Sequence, residues 1–92
     1  MTIPKDIVNR VQRDFPHESG GVLARLLQLR GESDTFSSDR LLRCVVYSAH
    51  GDASRIEALI DLGHQDYRDL IVSAECNGDW EHIRDMNQPF TQ

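Results

Sequence analysis

The sequence predicts an all-α domain, a compact bundle of five to six short helices spanning residues 1–92 as one unit. Three observations predict it. Apolar residues recur at three- and four-residue spacing in segment after segment, and no segment sustains a period-two alternation. The β-branched pairs Val45-Val46 and Ile71-Val72 fall inside helical stripes instead of marking strands.

In the first predicted helix, Ile3 to Phe15, the apolar residues Ile3, Ile7, Val11 and Phe15 recur every four positions with Val8 beside them. Pro4 is tolerated in its first turn, and Pro16 stops it by pushing the preceding residue out of the helical region. A second helix is expected from about His17 to Arg30, with Val22, Leu23, Leu26 and Leu27 on one face and Gly31 as a left-handed cap. Gly20 and Gly21 would each cost this helix about 1 kcal/mol relative to alanine. They read as a place where another helix approaches closely.

"ESDTFSS", residues 32–38, reads as a polar linker ending in a serine cap, Ser37 or Ser38, with Asp39 in the first turn of a third helix. On that helix Leu41, Leu42, Val45, Val46 and Ala49 share a face, Cys44 lies at its margin, and Arg40, Arg43 and Tyr47 face elsewhere. Gly51 ends it. Ser54 and Glu57 stand at capping-box spacing ahead of a fourth helix carrying Ile56, Leu59 and Ile60, with Gly63 at its end. Tyr67, Leu70, Ile71 and Ala74 repeat the template in a fifth, stopped by Asn77 and Gly78. Asp79 is expected to cap a last turn with Trp80 as a core cap, Ile83 and Met86, before Pro89 leaves the helix.

Leu26, Leu27 and Leu29 lie 33 residues before Leu59, Ile60 and Leu62, and "VVYSAHGD" resembles "LIVSAECNGD". Two stacked helical hairpins, helices two with three and four with five, are therefore a repeat-like alternative to an orthogonal bundle.

The charge balance narrows the function. Fifteen Asp and Glu against ten Lys and Arg give a net charge of -5, with the arginines dispersed among acids. This disfavours nucleic acid and favours a basic protein partner. No apolar run is long enough to span a bilayer, which argues against a membrane partner. Cys44 and Cys76 form no CxxC pair and no leader precedes the first helix, so a cytoplasmic location with free thiols is expected.

"LGHQDYRD", Leu62 to Asp69, concentrates the chemistry-bearing residues. Local structure accounts for its acids: Asp66 and Asp69 sit where an N-cap oxygen and a first-turn carboxylate satisfy exposed amides. The catalytic alternative gathers His50, Asp52, His64 and Asp66 into a mixed nitrogen and oxygen metal site, which no HExxH, paired CxxC or EF-hand spacing supports. A Cys44 or Cys76 nucleophile assisted by His50 or His82 is weaker than the reading of both thiols as small apolar fillers. Ser19-Gly20-Gly21 lacks the lysine and the preceding strand of a phosphate loop.

The expected function is a protein-interaction or adaptor domain without catalytic residues, metal or cofactor. Arg40, Arg43, Tyr47, Tyr67 and Arg68 are its candidate contact residues, because Arg and Tyr combine contact area with directional polar groups. An acidic inhibitor masking a basic partner is the rival, with Asp61, Asp66, Asp69 and Glu75 on one face. A homodimer would cover apolar surface left open by a helical stack.

Overall fold

The computed structural model describes residues 3–76 and 85–90. Five α-helices and two 3-10 turns make up the described residues, and no strand is among them. The expected final helical turn falls outside them at Trp80 and Ile83, as does His82; Met86 is described and lies in a non-helical turn.

Helix α1, Lys5–Asp14, follows Pro4 and hands its chain to Phe15, whose N–H donates to the Val11 carbonyl. Its buried residues Ile7 and Val11 are two of the four-spaced set, and Phe15 completes the stripe. Helix α2, Ser19–Glu32, runs two residues past the expected end. Gly31 is not its left-handed cap, since the helix passes straight through it and ends in extended Ser33. Nor do Gly20 and Gly21 admit a neighbouring helix. A Cβ at either would meet open space, so both are exposed helical glycines.

The polar linker hides a core residue. It forms a 3-10 turn, Thr35–Ser37, whose Phe36 is fully buried. Ser38 occupies the N-cap position of helix α3, Asp39–Ala49, but its side chain makes no capping bond; Asp39 accepts instead from Arg30 at 2.5 Å. Helix α3 ends as expected near Gly51, through a left-handed pair: His50 at φ 50° and Gly51 at φ 76°. Histidine is one of the few residues that tolerates this region.

Helix α3 is the centre of the bundle. Leu41, Leu42, Arg43, Cys44, Val45, Val46, Ser48 and Ala49 are all buried, because α1, α4 and α5 pack around it. The expected apolar face of α3 is buried, and Asp39, Arg40 and Tyr47 stay partly exposed, but Arg43 on the other side is buried as well.

The expected Ser54–Glu57 capping box is replaced by a different device. Asp52 Oδ1 accepts from both the Ser54 N–H and the Ser54 hydroxyl, at 3.0 and 2.6 Å, and opens the 3-10 turn Ala53–Arg55. Helix α4, Ile56–Gln65, continues directly from that turn, and helix α5, Tyr67–Glu75, follows after Asp66. Gly63 does not end α4 but lies buried within it.

Helices α4 and α5 pack on each other and on α3. Helix α2 packs on α1 and on the Thr35–Ser37 turn, not principally on α3. The two expected hairpins are therefore not equivalent, and the bundle geometry holds over the repeat.

Candidate functional site

The corner between α4 and α5 is where the sequence concentrates its polar residues. Asp66, in extended conformation at φ -155°, accepts from the Arg68 N–H at 3.0 Å and caps α5. Its carboxylate is committed to a backbone amide, as the spacing predicts. His64 Nε2 and the Ser33 hydroxyl lie 2.9 Å apart and share a hydrogen bond, while the His64 ring stands edge-on to Phe36 at 5.3 Å. These contacts tie the loop after α2 to the end of α4.

The same corner carries the molecule's most exposed aromatic residue among those described. Tyr67 is 47% exposed, and the Arg68 guanidinium lies 5.9 Å from its ring centroid, at the edge of cation-π range. Beside it is a shallow, mainly apolar hollow of about 310 Å³ lined by Asp34, Thr35, Leu41 and Tyr67. Asp34, Asp61, Asp66 and Asp69 are exposed. Sequence reasoning singled out Tyr67 and Arg68 but missed Asp34 and Leu41. The available signal was Phe36, a lone phenylalanine inside a polar linker, which anchors the linker against α4.

The metal site does not form. His50 ends α3 with its ring against Tyr47 at 5.4 Å, Asp52 binds Ser54, His64 binds Ser33, and Asp66 caps α5. Among the described residues, no three His, Cys, Asp or Glu side chains gather as a metal site. Each of the four is occupied by a local structural task.

Cys44 is fully buried, and burial, reinforced by the Glu75 carboxylate and opposed by Arg40, pushes its thiol up to about 12. A thiol so placed stays protonated and makes a poor nucleophile at neutral pH.

Two expected contact residues are tied into ion pairs, Arg43 in the interior and Arg40 at a partly exposed position. Arg43 is only 5% exposed: Nε and Nη2 donate to the two Asp6 oxygens at 2.9 and 3.2 Å, and Nη1 donates to the Met86 and Asn87 carbonyls. Arg40 donates through Nε and Nη2 to the Glu75 carboxylate at 2.7 and 2.6 Å. Glu75 itself is 0% exposed, which removes it from the expected acidic face. The physical reason is common to all three. Residues 85–90 and α5 cover the side of α3 that a two-faced helix would have left to water.

Tyr47 remains half-buried at the opposite side, lining with Arg10 two adjoining hollows, one along residues 85–90 and one at His50 and Gly51. Arg10 and Arg13 both donate to Asp14 there. That hollow lies where α1 and α3 end, so exposed carbonyls offset its cationic character.

In comparison with known proteins, no family model, no curated protein and no solved structure matches this chain, which leaves the geometry of its own residues to carry the function.

Proposed function

We propose that this chain is a cytoplasmic protein-interaction module whose contact surface is the α4–α5 corner, with Tyr67 as its anchor and Arg68 beside it. The observation that carries the reading is the exposure of Tyr67 next to an apolar hollow floored by Leu41. Aromatic anchors flanked by polar rims dominate binding energy at protein interfaces. The partner is a protein, and the net charge of -5 favours a basic one. Arg43 is buried in the fold and Arg40 is paired with Glu75, so neither is assigned to this contact surface. The free thiol of buried Cys44 is compatible with a reducing compartment.

Quantitative capture from an extract of the native cell, with the wild-type chain and Tyr67→Ala compared side by side, tests this. The expected result is a specific partner depleted at least ten-fold on Tyr67→Ala while the thermal melt is unchanged. Identical capture by both proteins overturns the reading.

A further inference from the structure

The hollow beside Tyr67 joins an apolar surface to an unpaired charge. Leu41, only 6% exposed, lines it together with Tyr67, Thr35 and Asp34. Asp34 is exposed and is the single charged residue among the described residues of that lining. Its main chain is engaged, because its carbonyl accepts from the Ser37 N–H at 3.3 Å and from the Ser37 hydroxyl at 2.7 Å. Its carboxylate is not: it caps nothing and has no hydrogen bond or ion pair among the described residues.

The chemistry of this space narrows its occupant. A purely apolar side chain would strip water from Asp34 and return no hydrogen bond. An anion meets repulsion, since Asp34, Asp66 and Asp69 outnumber Arg68 at this corner and all four are exposed. Arg68 itself stands in the field of Asp66 and is not part of the lining. A basic side chain remains. Lysine carries a compact, strongly hydrated ammonium, whereas arginine has a planar, less hydrated guanidinium that stacks on an aromatic ring and presents a fork to a carboxylate. Its aliphatic stem also packs against apolar surface while the charged head stays at the rim.

We propose that this hollow receives an arginine side chain of the partner protein, with the guanidinium at Asp34 and the Tyr67 ring and the methylene stem over Leu41. The assignment rests on the reading of the Tyr67 corner as the contact surface and adds the residue which that surface recognises.

Nα-acetyl-arginine amide, its neutral counterpart Nα-acetyl-citrulline amide and Nα-acetyl-lysine amide are each titrated into the isotope-labelled full-length chain and followed by amide chemical shifts. Arginine is expected to move the amides of Asp34, Thr35, Leu41 and Tyr67 and to bind about five-fold more tightly than citrulline, the worth of one exposed ion pair and one cation-π contact. Asp34→Asn, at a side chain with no bond to lose, is expected to weaken arginine about three-fold and to leave citrulline unchanged. Equal binding of arginine and citrulline, lysine binding as tightly as arginine, shifts away from the hollow, or an Asp34→Asn chain that binds arginine as wild type does overturns the proposal. Partner capture separates this failure from that of the corner itself. A partner lost by Tyr67→Ala but kept by Asp34→Asn overturns the arginine assignment alone, and a partner kept by both variants overturns the corner reading with it. Loss by both supports the assignment.

Discussion

Gly63 faces the ring of Phe36 with no space for a methyl group between them: a Cβ at position 63 would overlap the ring edge and lie 3.1 Å from Leu70 Cδ2. The glycine thus sets how closely the Thr35–Ser37 turn approaches α4, and through it the position of the Tyr67 corner. Gly63→Ala is expected to destabilise the protein by about 1–3 kcal/mol, as overpacking does. That corresponds to a fall in Tm of about 4–8 °C per kcal/mol in a domain of this size. Combining it with Phe36→Leu should cost less than the sum of the two single changes. Strict additivity in the double-mutant cycle would refute the contact.

The same substitution at Gly20 or Gly21 carries the opposite sign. Both are helical and open to solvent, so alanine removes unfolded-state entropy without a clash. Each is expected to raise stability by about 0.5–1 kcal/mol. A lower Tm for either variant would mean that an atom approaches these positions after all.

Asp66 tests the boundary reading of "LGHQDYRD". Replacing it with alanine removes the acceptor for the Arg68 N–H and is expected to cost about 1 kcal/mol. Asp66→Asn and Asp66→Ser, which keep a capping oxygen, should recover most of the loss in a thermal melt. A catalytic or metal-binding carboxylate would not be replaced by serine so readily.

Acid should loosen the contacts that Asp6 makes with Arg43 and the Phe90 N–H. Burial works to raise the Asp6 carboxyl, but the hydrogen bond from Arg43, the Phe90 N–H and the Arg43 charge together hold it below its ordinary value of 3.8. A depressed folded-state value means that this contribution is present above about pH 4 and is lost as pH falls through the folded value. The Tm gap between wild type and Asp6→Asn is therefore expected to be widest near neutrality and to close as pH falls below the ordinary aspartate range. Glu57, held down chiefly by the Arg25 hydrogen bond, moves in the same direction, but it is largely exposed and contributes little. A gap that stays constant across the range would show that Asp6 acts through packing alone.

Thiol labelling separates the two cysteines. Cys44 is fully buried with its thiol pushed up to about 12, whereas Cys76 is half-buried. In native buffer Cys76 is expected to react first, with Cys44 released only by denaturant at the midpoint of unfolding. Equal rates would place Cys44 within reach of solvent.

The local rules of the chain were legible before any coordinates. Four-residue spacing located α1, the Asp66 cap marked the start of α5, and Gly51 marked the end of α3, because each depends on residues within one or two turns. The tertiary structure decided what those rules leave open. Whether Gly63 ends a helix or admits a ring depends on Phe36, which is distant in sequence. Whether Arg43 meets water or Asp6 depends on α1 and on residues 85–90 covering the far side of α3. Periodicity reports one apolar face per helix. A central helix packed on more than one side also buries residues of its polar face, so Arg43 looks exposed until the partners that neutralise it are brought alongside.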